Sequence, residues 1–192
     1  ALIAIVSSVF AVKTEAGLIK VTLTILANAA ITLCMTMLLD AATLSLAIAV
    51  QIASMSYLSW KYRVELPHWL YKAALTVVLI RLSLAPWLDA YAGEMILGLH
   101  WSIVIYPAVL AIIWFSRHYN SSASFRTWLE GAFVHVLALM VTTETSYLLV
   151  GQYPQFFDLS FKEASLLALN WLVLAGVYSW RAEGAEKAQK IY

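Results

Sequence analysis

The chain has 192 residues, of which 62% are apolar and 12% charged, with a mean hydropathy of +0.80. A water-soluble domain carries about 25% charged residues. Half that share leaves too little polar surface to cover a globule in water, so lipid must be the solvent for most of the outside. The net charge of +1 comes with no basic cluster, which excludes a nucleic-acid partner, and the single cysteine, Cys34, excludes an internal disulfide or a cysteine metal centre.

In chain order, residues 1–12 lack the basic start and cleavage site of a signal peptide. They read as the tail of an earlier span, and the chain as part of a larger protein. A helix needs about 20 mainly apolar residues to cross about 30 Å of hydrocarbon. On that measure about six spans are expected, at 17–39, 41–60, 67–88, 95–116, 127–150 and 161–180, in a single transmembrane domain covering 1–192. The predicted fold is an all-α polytopic transmembrane helix bundle. Pro67 suits the start of the third span, where its missing N–H costs nothing. Pro107 lies inside the fourth and should kink it. The stretch 151–160 reads as a loop, and 181–192 as a polar tail.

Loop charges set the orientation. One side carries Lys13, Lys20, Lys61, Arg63, Lys72, Arg117, Arg126, Arg181, Lys187 and Lys190. The other carries Lys162, with Arg81 near it inside a span, among Asp40, Asp89, Glu94, Asp158 and Glu163. Both ends of the chain are therefore expected to be cytoplasmic, and an even span count agrees. Trp60, Trp69, Trp87, Trp101, Trp114, Trp128 and Trp180 fall at expected span ends, as an aromatic belt does.

Two stretches look alike. Leu44–Trp60 reads LSLAIAVQIASMSYLSW and Ser165–Trp180 reads SLLALNWLVLAGVYSW. Each carries one amide, Gln51 or Asn170, and ends in Ser-Trp before a basic residue. Spans 1–2 and 5–6 thus read as a parallel internal repeat of a helical hairpin, with chance similarity of two apolar helices as the other explanation.

The runs LPHWLYKAALTVVLIRLSLAPWL, HWSIVIYPAVLAIIWFSR and LEGAFVHVLALMVTTETSYLL resemble the C-terminal region of a family of bacterial multi-pass membrane proteins, domain-of-unknown-function family 2339. The likeness rests on the LxRL of Leu79–Leu82, on Tyr106-Pro107 and on Glu144. It implies a bacterial inner membrane and further spans upstream, and it brings no activity and no site residues with it.

Ionisable groups inside a membrane are functional candidates by default. Glu144, late in the fifth span among Thr142, Thr143, Thr145 and Ser146, reads as a proton or cation site, as an interfacial carboxylate, or as the partner of Arg81. Arg81 reads as a structural ion pair or an anionic-headgroup site. His135, near mid-span, reads as a proton relay or a neutral hydrogen-bonded imidazole. Thr24, Asn28, Thr32, Thr36 and Asp40 recur every four residues as a polar stripe on one helix face, either lining a path to Asp40 or gluing helices together. Asn170 completes the candidate set. Ser45, Ala49 and Ala53 make a small face for close helix approach. No metal site, cofactor motif, phosphate loop or nucleophile elbow is present, so no catalytic residue is assigned. The expected partners are membrane lipids and further spans or subunits of the same complex. Three functions remain open: a transport or translocation module for a small molecule or an envelope or lipid precursor, a structural or assembly scaffold, and an intramembrane enzyme on lipid-linked substrates.

Overall fold

Helix starts and stops follow local chemistry. In the computed structural model, which describes residues 17–39, 41–62, 67–87, 95–96, 98–120, 122–151 and 159–183, the helices are α1 (Gly17–Leu38), α2 (Ala41–Tyr62), α3 (His68–Leu84), α4 (Trp101–Tyr119), α5 (Ala123–Val150) and α6 (Phe161–Glu183). Pro67 stands at the N-cap of α3, and a 3-10 turn, Ala85–Trp87, follows its end. The helix expected from residue 127 starts earlier, at Ala123, because the Ser122 hydroxyl accepts the Phe125 N–H at 3.4 Å. It stops where Gly151 takes the left-handed conformation (φ 75) and returns its N–H to the Tyr147 carbonyl. Ser160 caps α6 by accepting the Glu163 N–H at 3.2 Å, and Glu163 in the first turn suits the positive end of the helix dipole.

The span expected from residue 95 begins instead at Trp101. Before it, β1 (Met95–Ile96) and β2 (Leu99–His100) pair antiparallel, with Met95 opposite His100 and Ile96 opposite Leu99. Gly98, at φ 79, turns the chain between them, a conformation that a helix cannot pass through.

Four segments are long and apolar enough to cross a membrane: Ala42–Lys61, His68–Trp87, Trp101–Tyr119 and Ala123–Val150. They form a ring in the order α2, α4, α5, α3, each packed on its two neighbours. The core between them holds Ile48, Ile52 and Met55 from α2, Tyr71, Leu75, Val78 and Leu82 from α3, Ile105, Tyr106 and Val109 from α4, and Phe125, Leu129 and Val136 from α5. The small face of α2, Ser45, Ala49 and Ala53, is buried. Outside, α1 lies on α2 and α6 lies on α5. Large apolar side chains face outward on both, including Leu33, Met37, Leu172 and Val173, as lipid solvent allows. In α1 the apolar run is shorter, Thr22–Met37.

The two hairpins of the repeat do not take equivalent places. α2 belongs to the ring, whereas its counterpart α6 packs outside it on α5. What recurs is local. In each hairpin the amide of the second helix reaches a threonine of the first: Gln51 with Thr32, and Asn170 with Thr145.

Candidate functional site

The polar stripe of α1 is closed on itself and on α2. Asn28 Nδ2 donates to the Thr24 carbonyl at 2.8 Å, and Thr36 Oγ1 to the Leu33 carbonyl at 2.8 Å. Gln51 Nε2 donates to the Asn28 carbonyl at 2.9 Å and to Asn28 Oδ1 at 3.1 Å. The Thr32 hydroxyl, 2.9 Å from the Asn28 carbonyl, also reaches Gln51 Oε1 at 2.8 Å. These bonds tie one helix to the next, which is the glue reading of the stripe. Asp40, at its end, lies outside the described residues, as do Asp89, Glu94 and the tail from residue 184.

Three further candidates also reach neighbouring helices. Arg81 Nε donates to Ser45 Oγ on α2 at 3.2 Å. His135 Nε2 and Ser83 Oγ of α3 share a hydrogen bond of 2.8 Å. Asn170 Nδ2 donates to Thr145 Oγ1 at 2.7 Å, and beside it Trp171 Nε1 donates to Thr142 Oγ1 at 2.9 Å.

Of the candidate carboxylate partners of Arg81, Asp40 and Asp89 lie outside the described residues, and the pairing with Glu144 is not formed. Lys72 Nζ meets Ser124 Oγ at 3.0 Å, and this contact and the Ser83–His135 bond both join residues 52 apart, as parallel helices in one register do. Along that interface Arg81 lies beside residue 133. Glu144 is eleven residues further on, about 16 Å of helix rise at 1.5 Å each. Among the described residues the ion pair is another one: Arg117 Nη2 and Glu130 Oε1, 2.6 Å apart, joining α4 to α5.

That ion pair is one end of a stripe on α5. Glu130, Phe133, Leu137, Met140, Glu144 and Tyr147 follow at heptad spacing and so share one face. Contacts at both ends aim this face at α4: Glu130 to Arg117, and Tyr147 stacked on His100, ring centroids 4.2 Å apart. His100 is buried, and its Nδ1 lies 2.8 Å from Ser102 Oγ. Burial pushes its imidazole below the ordinary value of 6.5. No residue pattern in the sequence signals this stack. The pairing of Glu130 with Arg117 likewise depends on register.

Glu144 stands apart from the other candidates. Its Oε1 is buried and has no hydrogen-bond partner. Of the hydroxyls around it, the three threonines are committed elsewhere, while Ser146 Oγ is buried without a partner of its own. Thr142 donates to the Ala138 carbonyl, Thr143 to that of Leu139 and Thr145 to that of Val141, each one turn back on its own helix. Among the described residues no cluster of three or more His, Cys, Asp or Glu is placed to hold a metal ion.

A ring of four membrane-length apolar helices, joined by interhelical amide, hydroxyl and imidazole bonds, defines a polytopic α-helical membrane protein. More particularly, the family model described as "Predicted membrane protein (DUF2339)" matches residues 1–192, and the chain belongs to that family. No curated protein and no solved structure matches it.

Proposed function

We propose that this bundle is a transport or translocation module of a bacterial inner membrane, with Glu144 as its working group. One observation carries the reading. Of the five described candidates, Asn28, Arg81, His135 and Asn170 are all bonded to groups on a neighbouring helix, whereas Glu144 keeps a buried carboxylate oxygen without a partner. A carboxylate oxygen held away from water in a membrane is costly, and its tying no helices together supports a functional reading over an interfacial one. In this reading α1 and α6 also cross the membrane, giving six spans with both ends cytoplasmic. The loop-charge asymmetry supports that orientation. Membrane lipids and further spans of the same complex meet the outer faces of α1 and α6. The cargo is a small molecule or an envelope precursor.

Cysteine accessibility in native membranes tests this. In a Cys34→Ala background of the full-length protein, single cysteines replace Asn28, His135 and Glu144, and a small membrane-impermeant thiol reagent is added from each side. Labelling at position 144 from the non-cytoplasmic side, with none at 28, is expected. Silence at 144 from both sides, while cysteines in the loops at 63–66 and 152–158 react from opposite sides, overturns the reading.

A scaffold role is the second reading, favoured by the interhelical bonds of Gln51 and Asn170. It requires a dry interface and therefore a silent position 144. The intramembrane-enzyme reading needs two candidates in one pocket and draws no support from the described residues, where Arg81, His135 and Glu144 face different neighbours.

A further inference from the structure

Glu144 has a counterpart on the facing helix. α4 and α5 run antiparallel, and their two end contacts set the register. Counting three residues in from the His100–Tyr147 stack reaches Ile103 on α4 and Glu144 on α5. Counting fourteen residues from the Arg117–Glu130 ion pair reaches the same two positions. The ends of the interface thus agree that Glu144 lies at the level of Ile103.

Ile103 is the residue whose carbonyl Pro107 deprives. In an α-helix the Ile103 oxygen would accept the N–H of residue 107, and proline, present inside α4, has none. Inside a membrane no bulk water replaces that donor, and a group on a neighbouring helix is one of the ways such a carbonyl is satisfied. Two acceptors therefore come level at the outer edge of one interface, where Ile103 is 40% exposed: a carboxylate oxygen with no hydrogen-bond partner and a backbone carbonyl short of its helical donor. The smallest species that satisfies both is a proton. A hydrated alkali cation would need several more oxygen ligands, and the stripe on either side of Glu144 offers the apolar Met140 and the Tyr147 ring already stacked on His100.

We propose that Glu144 is a proton-binding site in which the protonated carboxyl donates its O–H to the Ile103 carbonyl. This rests on Glu144 being the working group and names what it binds. On binding, one Glu144 oxygen gains a bond to a proton drawn from the outer aqueous phase. On release that bond breaks, the proton returns to water, and carboxylate and carbonyl are left as two facing acceptors that repel. Proton binding thus closes the outer end of the α4/α5 interface and release loosens it. Among the described residues, the other ionisable groups near this end are His100 and Tyr147, one turn outward on α5 and its partner helix, and Lys162 and Glu163 in the first turn of α6. On α3, Arg81 is turned to Ser45, and on α6, Asn170 and Trp171 meet the opposite side of α5, with Glu163 buried in the first turn.

Infrared difference spectroscopy of the full-length protein in lipid vesicles, titrated with acid, tests this. A carboxylic-acid C=O band at the position of a hydrogen-bonded acid is expected, lost in Glu144→Gln. Pro107→Ala is the sharper variant. It returns an N–H to the Ile103 carbonyl, so the acid band should persist but move to the higher frequency of an acid without an acceptor. An acid band that survives Glu144→Gln, a band unmoved in Pro107→Ala, or no titrating band alongside a sodium-dependent carboxylate shift overturns the proposal. Those results leave the cysteine labelling at position 144 untouched, so failure of the proton site and failure of the working-group reading are separately visible.

Discussion

Replacing Gln51 by leucine keeps the volume of the side chain and removes its polar end. Three hydrogen bonds are lost: two from Nε2 to the Asn28 carbonyl and Oδ1, and one from Thr32 to Oε1. Interhelical hydrogen bonds in membranes contribute about 0.6 kcal/mol each on average, with a ceiling near 1.7, so three contribute about 2 kcal/mol. Thr32 softens the loss because its one hydroxyl proton has a second acceptor in the Asn28 carbonyl. The expected destabilisation of the α1–α2 pairing is about 1–2 kcal/mol, a factor of about 5–30 in its opening equilibrium. Hydrogen–deuterium exchange in lipid nanodiscs reads this directly: amides of α1 between residues 22 and 37 should exchange faster by that factor. Val50→Ala, one residue away on the exposed side of α2, should leave them unchanged. If Gln51→Leu also leaves α1 exchange unchanged, the amide contributes nothing to the pairing, and the polar stripe of α1 needs another explanation.

Asn170→Leu should loosen α6 from α5 by about 0.6–1 kcal/mol, less than at Gln51 because the Trp171–Thr142 bond remains; proteolysis of α6 in vesicles should quicken about three- to fivefold. Arg117→Gln and Glu130→Gln should each lower stability by about 1 kcal/mol, since the pair is only partly buried, at 32% and 22% exposure. Their effects should not add, as thermal melts of the double variant would show. His100 titrates below its ordinary value because it is buried, so the unfolded chain takes up its proton first. Its stabilising contribution is complete above about pH 6.5 and is lost as pH falls toward the folded value. A melting temperature that declines below about pH 6.5, and a flatter profile in His100→Phe, which keeps a ring against Tyr147, are the expected outcomes.

Much of the fold was legible because lipid imposes a coarse and strict pattern. Runs of about 20 apolar residues placed the helices to within a few residues wherever a cap or proline stood at the edge, as Pro67 and Ser122 do. The exception is instructive. Met95, Ile96 and Leu99 are apolar enough to read as helix, yet Gly98 turns the chain so that they pair as a hairpin. Hydropathy measures solvent and is blind to backbone conformation. The repeat was legible in the same limited way. It identified the amides at 51 and 170, which do recur as bonds to the preceding helix, but it said nothing about which helix joins the ring, because that depends on contacts with α3 and α4 that the hairpins do not contain.

The candidate site was harder to read because residue type alone does not separate glue from chemistry inside a membrane. Asn28, Arg81, His135 and Glu144 all drew notice for the same reason, the cost of burying a polar group. What divides them is whether a neighbouring helix repays that cost, and this depends on register. The offset between α3 and α5 gives His135 its serine and holds Arg81 well short of Glu144. The register of α4 on α5 brings Glu144 level with the one stretch of α4 where a proline withholds a donor. Neither offset is written in any single residue. Each is the sum of end contacts, such as Arg117 with Glu130 and His100 with Tyr147, whose partners lie 13 and 47 positions apart in the chain. A shift of α4 by one turn would present another carbonyl to Glu144, one still bonded within its helix, and leave the Ile103 oxygen beside an apolar side chain. The chemistry assigned to Glu144 is therefore a property of the interface, and substitutions at Arg117 or His100 that let α4 slide should disturb it as surely as substitutions at Glu144 itself.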